Sequence, residues 1–105
     1  MDWYCIDYLY PRAFSRFRDV MFPNVGIISI STLDFYDIKK LYGFFDKEGI
    51  YLTTEMYGKD QWGCTISLSG VVIGLGDDSM RTREQIEEVG FMECFKLLDK
   101  RLYNI

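Results

Sequence analysis

Histidine is absent from this sequence of 105 residues. Because imidazole is the commonest general base near neutral pH and a frequent metal ligand, this absence excludes catalytic triads built on histidine. Cysteine is scarce: three residues stand far apart and outside any CxxC pair, which favours free thiols in a reducing compartment over a disulfide framework. No apolar run approaches the roughly 20 residues of a membrane span, and the first ten residues lack the features of a signal peptide. We therefore expect a cytoplasmic protein.

The residue types that could carry chemistry all have simpler structural interpretations. Cys64 and Cys94 fall on predicted core faces and have no basic neighbour arranged to lower a thiol pKa. Asp77 and Asp78 lack the alternating ligand spacing of a calcium loop. The glycines of the segment 74–76 lack the third glycine of a dinucleotide fingerprint. We predict a protein that is not an enzyme, with no cofactor and no metal; an enzyme using Asp77 and Asp78 is the least supported alternative.

The composition predicts a folded domain with aromatic side chains to spare. Hydrophobic residues make up 49% and charged residues 27% of the chain, which excludes a disordered tail. Aromatic residues reach 17%, more than a core of this size easily absorbs, and tyrosine and tryptophan are favoured in contact patches. The net charge of −4 argues against a polyanionic partner such as nucleic acid and against an anionic membrane.

Residues 50–75 are typical of three short strands joined by two turns. Polar and apolar residues alternate in IYLTTEMY and QWGCTISL, the pattern of a half-buried antiparallel sheet. Ser69 and Gly70 suit a two-residue hairpin, and the segment 58–60 suits a looser turn of three residues. The third strand, VVIGL, is almost wholly apolar and contains Gly74, so we expect it to be covered on both faces or to lie beside a close neighbour.

Three helices are predicted around these strands. Pro11 begins the first, which ends near Phe22; Ser31 or Thr32 caps the second, which runs over 33–47 and stops at Gly49. The stripe at helical spacing in the second helix consists of Ile38, Leu41, Tyr42 and Phe45. The third helix opens with a capping box of Thr82 and Gln85 and runs to about Tyr103, and its Gly90 indicates a close approach of helix and sheet.

Two N-terminal segments complete the predicted fold. Residues 1–10 alternate as an extended arm or first strand, with Tyr4, Ile6, Tyr8 and Tyr10 on one side, and residues 25–30 form a short strand that pairs with the sheet or bridges two helices. The predicted class is α+β, a three-stranded antiparallel meander packed against helices in the order α-(β)-α-β-β-β-α. It forms one domain, with an N-terminal arm, helix and short strand over 1–32 and an αβββα unit over 33–103.

This αβββα order over residues 33–103 resembles the double-stranded RNA-binding domain. In that family lysines at the start of the second helix meet phosphates across a groove, whereas the matching segment here reads TREQIEE. Arg81 and Arg83 are outnumbered there by three glutamates. The resemblance implies an RNA-binding alternative that uses Lys39, Lys40, Arg81 and Arg83.

Two further segments, LYGFFDKEGIYL and TREQIEEVGFMECFKLL, are similar to recurring features of small uncharacterised proteins from gut Bacteroidetes and their phages. They cover about half of the chain. The resemblance implies a phage or mobile-element origin and carries no activity.

The leading functional prediction is a non-enzymatic module that binds a protein, either another copy of itself or a different partner. The predicted contact surface is the aromatic-rich N-terminal segment, because its rings exceed what the core has room for. Its residues are Trp3, Tyr4, Tyr8 and Tyr10.

Overall fold

A computed structural model of the chain describes residues 6–22, 38–76 and 80–104. It confirms the predicted α+β class: helices accompany one three-stranded antiparallel sheet. The elements in chain order are α1 (Ile6–Leu9), α2 (Pro11–Met21), α3 (Ile38–Lys47), β1 (Tyr51–Gly58), β2 (Gln61–Leu68), β3 (Val71–Gly76) and α4 (Arg83–Tyr103). The strand predicted over 25–30 and the first turn of the helix predicted over 33–47 lie outside the described residues.

The three strands form the predicted meander, with β2 in the centre and β1 and β3 at its sides. Ser69 and Gly70 make the second turn, with φ values of 48° and 82°. These left-handed conformations give a hairpin turn whose twist matches that of the strands. The first turn is tighter than predicted. The register shifts between Met56 and Gly58, and Gly58 then pairs with Gln61, which leaves a turn of two residues, Lys59 and Asp60.

Helix α4 lies across the sheet, and Gly90 is the point of closest approach. A Cβ at this position would lie 2.7 Å from Leu52 Cδ1 and 3.1 Å from Cys64 Sγ. The predicted close approach of helix and sheet is therefore confirmed. The predicted capping box is confirmed as well, because the Thr82 hydroxyl accepts from the Gln85 amide while the Gln85 side chain accepts from the Thr82 amide.

Helices α2 and α3 pack against α4 through phenylalanine rings. Phe17 of α2 makes edge contacts with Phe44 and Phe95, at 5.1 and 5.7 Å between ring centroids. Phe45 of α3 stacks on Phe91 and meets Phe95 edge-on. All five rings are buried, so the aromatic surplus of the composition fills the space between the helices. The predicted stripe of α3 was incomplete, because Phe44 is buried beside Leu41 and Phe45.

Two carboxylates connect the ends of these helices. Asp99 of α4 accepts the backbone N–H groups of Arg12 and Ala13, at 2.8 and 3.1 Å, and so caps the first turn of α2 from outside that helix. Glu48 accepts from Arg16 at 2.7 Å and from Arg101 at 2.8 Å, which joins the end of α3 to both neighbouring helices.

The prediction of an extended N-terminal arm is wrong over the described residues, where Ile6–Leu9 form a helix. The Tyr10 amide donates to the Ile6 carbonyl at 2.8 Å. Ile6 is fully buried and Tyr10 packs against the core, whereas Tyr8 points to solvent. Ile6 and Tyr10 are four residues apart, which places them on one side of a helix; burial of this pair outweighs the alternating pattern of rings.

The prediction for β3 is also wrong in part. Val72 is 67% exposed, so the strand is not covered on both faces. Gly74 has no neighbour in close contact, since a Cβ there would meet no atom within 4 Å. The close approach occurs instead at Gly76, where a Cβ would lie 3.0 Å from Gly63 Cα.

Candidate interaction surface

Helix α4 packs on one face of the sheet, and the side chains of the other face are exposed or half-buried. Pairing across the strands arranges that face in three rows, because directly opposed residues of an antiparallel sheet share a side. We call it the outer sheet face, and its rows are Tyr51, Ser67 and Val72; Thr53, Thr65 and Gly74; and Glu55, Gly63 and Gly76, with Tyr57 beyond the last row.

Three large side chains stand on this face. Tyr51, Tyr57 and Val72 are 52%, 64% and 67% exposed. The Tyr57 ring lies against Gly63, where a Cβ would overlap it, so the ring is held flat on the strands. Between the large side chains lie glycines and small hydroxyl residues, and Glu55 is the one charged residue of the rows. The surface is a shallow, nearly uncharged platform with aromatic ends.

The N-terminal aromatics predicted as the contact surface do not act as one group in the described part of the chain. Tyr8 is 86% exposed and suits a contact role. Tyr10 is partly buried and packs against the core, so it contributes to stability. Trp3 and Tyr4 lie outside the described residues.

The four basic residues of the RNA-binding alternative are exposed, but at least two have contacts within the protein. The Lys40 ammonium lies 4.9 Å from the centroid of the Phe22 ring. Arg83 Nε lies 3.7 Å from Glu87 Oε2. Lys39 and Arg81 are exposed, and the Arg81 backbone N–H donates to the Gln85 side chain. Acidic residues near Arg83 reduce the positive potential that a phosphate backbone requires.

One buried carboxylate lies between α3 and α4. Glu87 is 5% exposed, and its Oε2 accepts a hydrogen bond of 2.8 Å from the Tyr42 hydroxyl. Burial raises the pKa of Tyr42 to about 12, and the hydrogen bond to Glu87 adds to this shift. A phenol that keeps its proton at neutral pH serves as a donor to the carboxylate. We interpret the pair as a structural contact between two helices.

Both described cysteines are buried on the sides where the sequence placed them. Burial raises the pKa of Cys64 to about 11 and raises that of Cys94 further above its usual range. A thiol in this environment forms little thiolate at neutral pH, and the thiolate is the nucleophile. The geometry therefore supports their assignment as core residues.

The described residues contain neither a candidate metal cluster nor a helix that could span a membrane. In the ranges 6–22, 38–76 and 80–104, no three acidic or cysteine side chains are grouped to hold a metal ion. No helix within these ranges is both long enough and apolar enough to cross a membrane. Asp77 and Asp78 lie outside the described residues.

The sequence prediction did not select the outer sheet face as the contact surface. The alternation in IYLTTEMY places Tyr51 and Tyr57 on the more polar side of β1, but alternation alone does not show which side a helix covers. The signal that was available is the set of glycines at 63, 74 and 76. Glycine offers no side chain to bury, so its recurrence on one side of two neighbouring strands, β2 and β3, indicates the side that does not form the core.

No protein-family model, no curated protein sequence and no solved structure matches the chain.

Proposed function

We propose that the protein is a non-enzymatic interaction module that binds a protein partner through its outer sheet face. The observation that supports this proposal is the exposure of Tyr51, Tyr57 and Val72 on a platform with a single charge. Tyrosine provides a large contact area at a low cost in conformational entropy, and a nearly uncharged surface loses little solvation when it is covered.

The size of the platform indicates how strong such a contact is. Strands of eight residues are about 27 Å long, and three strands span about 14 Å, so the face covers about 400 Å². A standard interface buries roughly 800 Å² on each partner. The outer sheet face alone thus supports a reversible contact, and a tight complex requires surfaces beyond it.

The experiment is a pull-down with the tagged chain from its native host, analysed by mass spectrometry with and without nuclease. The test variant is Tyr51→Ser with Tyr57→Ser, and the control is Tyr8→Ser, which removes a still more exposed tyrosine from α1. We expect to recover one partner protein in stoichiometric amount, with or without nuclease. Its recovery should be lost with the test variant and retained with the control. Thermal unfolding of each variant verifies the fold, because the Tyr57 ring covers Gly63.

Two other outcomes would contradict the proposed surface. Loss of the partner with Tyr8→Ser alone would move the contact to the N-terminal segment predicted from sequence. Recovery that depends on RNA would support the alternative that uses Lys39, Lys40, Arg81 and Arg83. The same result would be followed by measuring binding to duplex RNA against salt, because phosphate contacts weaken as salt rises.

A further inference from the structure

The two side strands of the sheet differ in how they are protected against pairing with another chain. β1 carries the charged Glu55 and a register irregularity near its end, both of which discourage addition of a further strand. β3 has neither: its six residues, Val71–Gly76, include no charge and no proline, and they pair with β2 without interruption. Val71, Val72, Gly74 and Gly76 are all exposed.

The turn before β3 determines which of its backbone groups face outward. A β-turn closes with a hydrogen bond from the fourth residue to the first, so Val71 donates to Leu68. Bonding to β2 then alternates along β3 and recurs at Ile73 and Leu75. The N–H and C=O groups of Val72 and Gly74 consequently point away from the sheet.

The helix-covered side of β3 is incompletely covered as well. α4 contacts the sheet at Leu52 and Cys64, on β1 and β2, where Gly90 permits the close approach. On β3, Val71 is 55% exposed while Ile73 and Leu75 are half-buried. A strand added beside β3 would cover this apolar row.

We propose that β3 pairs antiparallel with β3 of a second copy of this chain, with Ile73 at the two-fold axis, to form a continuous six-stranded sheet. In this register the outward backbone groups of Val72 bond to those of Gly74 of the second copy. Val71 lies opposite Leu75 of the second copy, and the two Ile73 side chains meet between them.

Symmetry and charge both favour a second copy as the occupant. The register is self-complementary, as a two-fold interface requires, and the bulky Val72 faces a glycine whose Cβ position is open. The strand has no charge, so no like charges meet when it pairs with itself; self-pairing of β1 would bring two copies of Glu55 together. This inference extends the proposed interaction module to the outer edge of β3. Val72 and Gly74 belong to both surfaces, but the strand pairing uses their backbone groups and requires no partner on the outer sheet face.

Sedimentation velocity from about 10 µM to 1 mM tests the pairing, with Gly74→Lys as the test variant and Thr53→Lys as its matched control. Both positions are exposed and belong to the same row of the sheet, at opposite edges, so the two variants gain the same charge on the same face. We expect weak dimerisation of the unchanged chain, because five paired residues make a small interface. Gly74→Lys should raise the dissociation constant about tenfold, since each change occurs twice across the axis, and Thr53→Lys less than about twofold.

Thermal unfolding of both variants verifies the fold, and Val71→Lys, at an exposed position outside the outer sheet face, replaces Gly74→Lys if that variant is unfolded. A chain that stays monomeric up to about 1 mM would overturn the proposal, as would equal weakening by the two lysines. Association that persists in Gly74→Lys but is lost in the Tyr51→Ser, Tyr57→Ser variant would assign self-association to the outer sheet face. That result would overturn the strand pairing while supporting the proposed function.

Discussion

Thr65 and Ile66 are neighbours in β2, yet their side chains lie on opposite faces of the sheet. Ile66 is fully buried between Leu52 and Ile73 in the row beneath α4. Thr65 lies in the middle row of the outer sheet face, between Thr53 and Gly74. The covered face is apolar and closely packed, and the outer sheet face is shallow and polar apart from its large side chains.

Positions that determine stability therefore lie on one face of the sheet, and positions open to the proposed binding lie on the other. Removal of a buried side chain leaves a cavity, whereas removal of an exposed one leaves the packing unchanged. Substitutions on most of the outer sheet face therefore test the proposed binding with little effect on folding. The exception is its last row, where Tyr57 covers Gly63 and a Cβ at Gly76 would lie 3.0 Å from Gly63 Cα. Most side chains of the outer sheet face can therefore vary while the fold is retained.

The largest expected effect is the difference in stability between variants of these two neighbouring residues. We expect Ile66→Ala to lower the free energy of unfolding by about 2–5 kcal/mol, the usual cost of truncating a buried aliphatic side chain. Thr65→Ala should lower it by less than about 1 kcal/mol, the range that residue preferences span within strands, because Thr65 is half-buried and leaves no core cavity. Urea unfolding monitored by circular dichroism measures both. Equal losses would show that the outer sheet face is also part of the core.

Much of the fold was predictable because its signals are local. The capping box at Thr82 lies within one turn, and the positive φ at Gly70 follows from the short turn that two adjacent strands require. The contact of α4 with the sheet was predictable from Gly90 alone. Glycine in the middle of an apolar helical face destabilises the helix, and a close approach to the sheet explains why it is there. The N-terminal helix was missed because its pattern is short and ambiguous: alternating rings suggested a strand, whereas burial of Ile6 by distant helices favours a helix.

The candidate site was less predictable for a different reason. The alternation of β1 indicated two faces, but the side on which α4 packs depends on contacts between distant residues such as Gly90 and Leu52. The apolar sequence of β3 suggested burial, and only the order of the strands shows that this strand lies at the edge of the described sheet. A contact surface is defined by what does not cover it, and local sequence holds little information on that.

The same contrast between a covered and an exposed position applies to two glycines within helices. Gly90 faces the sheet, and Gly43 of α3 is exposed with no atom near a Cβ position. We expect Gly90→Val to lower the free energy of unfolding by about 1–3 kcal/mol through overpacking against Leu52 and Cys64. Gly43→Ala should raise it by about 0.5–1 kcal/mol, because alanine is the better helix former. Chemical unfolding of both variants measures these changes, and stabilisation by Gly90→Val would contradict the close approach.

A smaller effect than that of Ile66→Ala is expected at the one charged side chain that is buried among the described residues. Tyr42→Phe removes the hydrogen bond to Glu87 and should cost about 1–2 kcal/mol at neutral pH, because the carboxylate keeps only the more distant Arg83. The unfolded chain loses the Tyr42 proton near pH 10, and the folded protein retains it until about pH 12, since burial and Glu87 raise its pKa. Between these values the folded state binds more protons, so the stability that this group contributes falls as pH rises.

The stability advantage of the unchanged chain over Tyr42→Phe should therefore shrink from pH 10 to pH 12. Urea unfolding of both proteins at several pH values measures this difference, and the other titrating groups are common to both chains and cancel in it. An advantage that stays constant across this window would show that Tyr42 titrates in the folded protein as it does in the unfolded chain. The contact with Glu87 would then be exposed to water, and the space between α3 and α4 would be less completely closed than the burial of Glu87 implies.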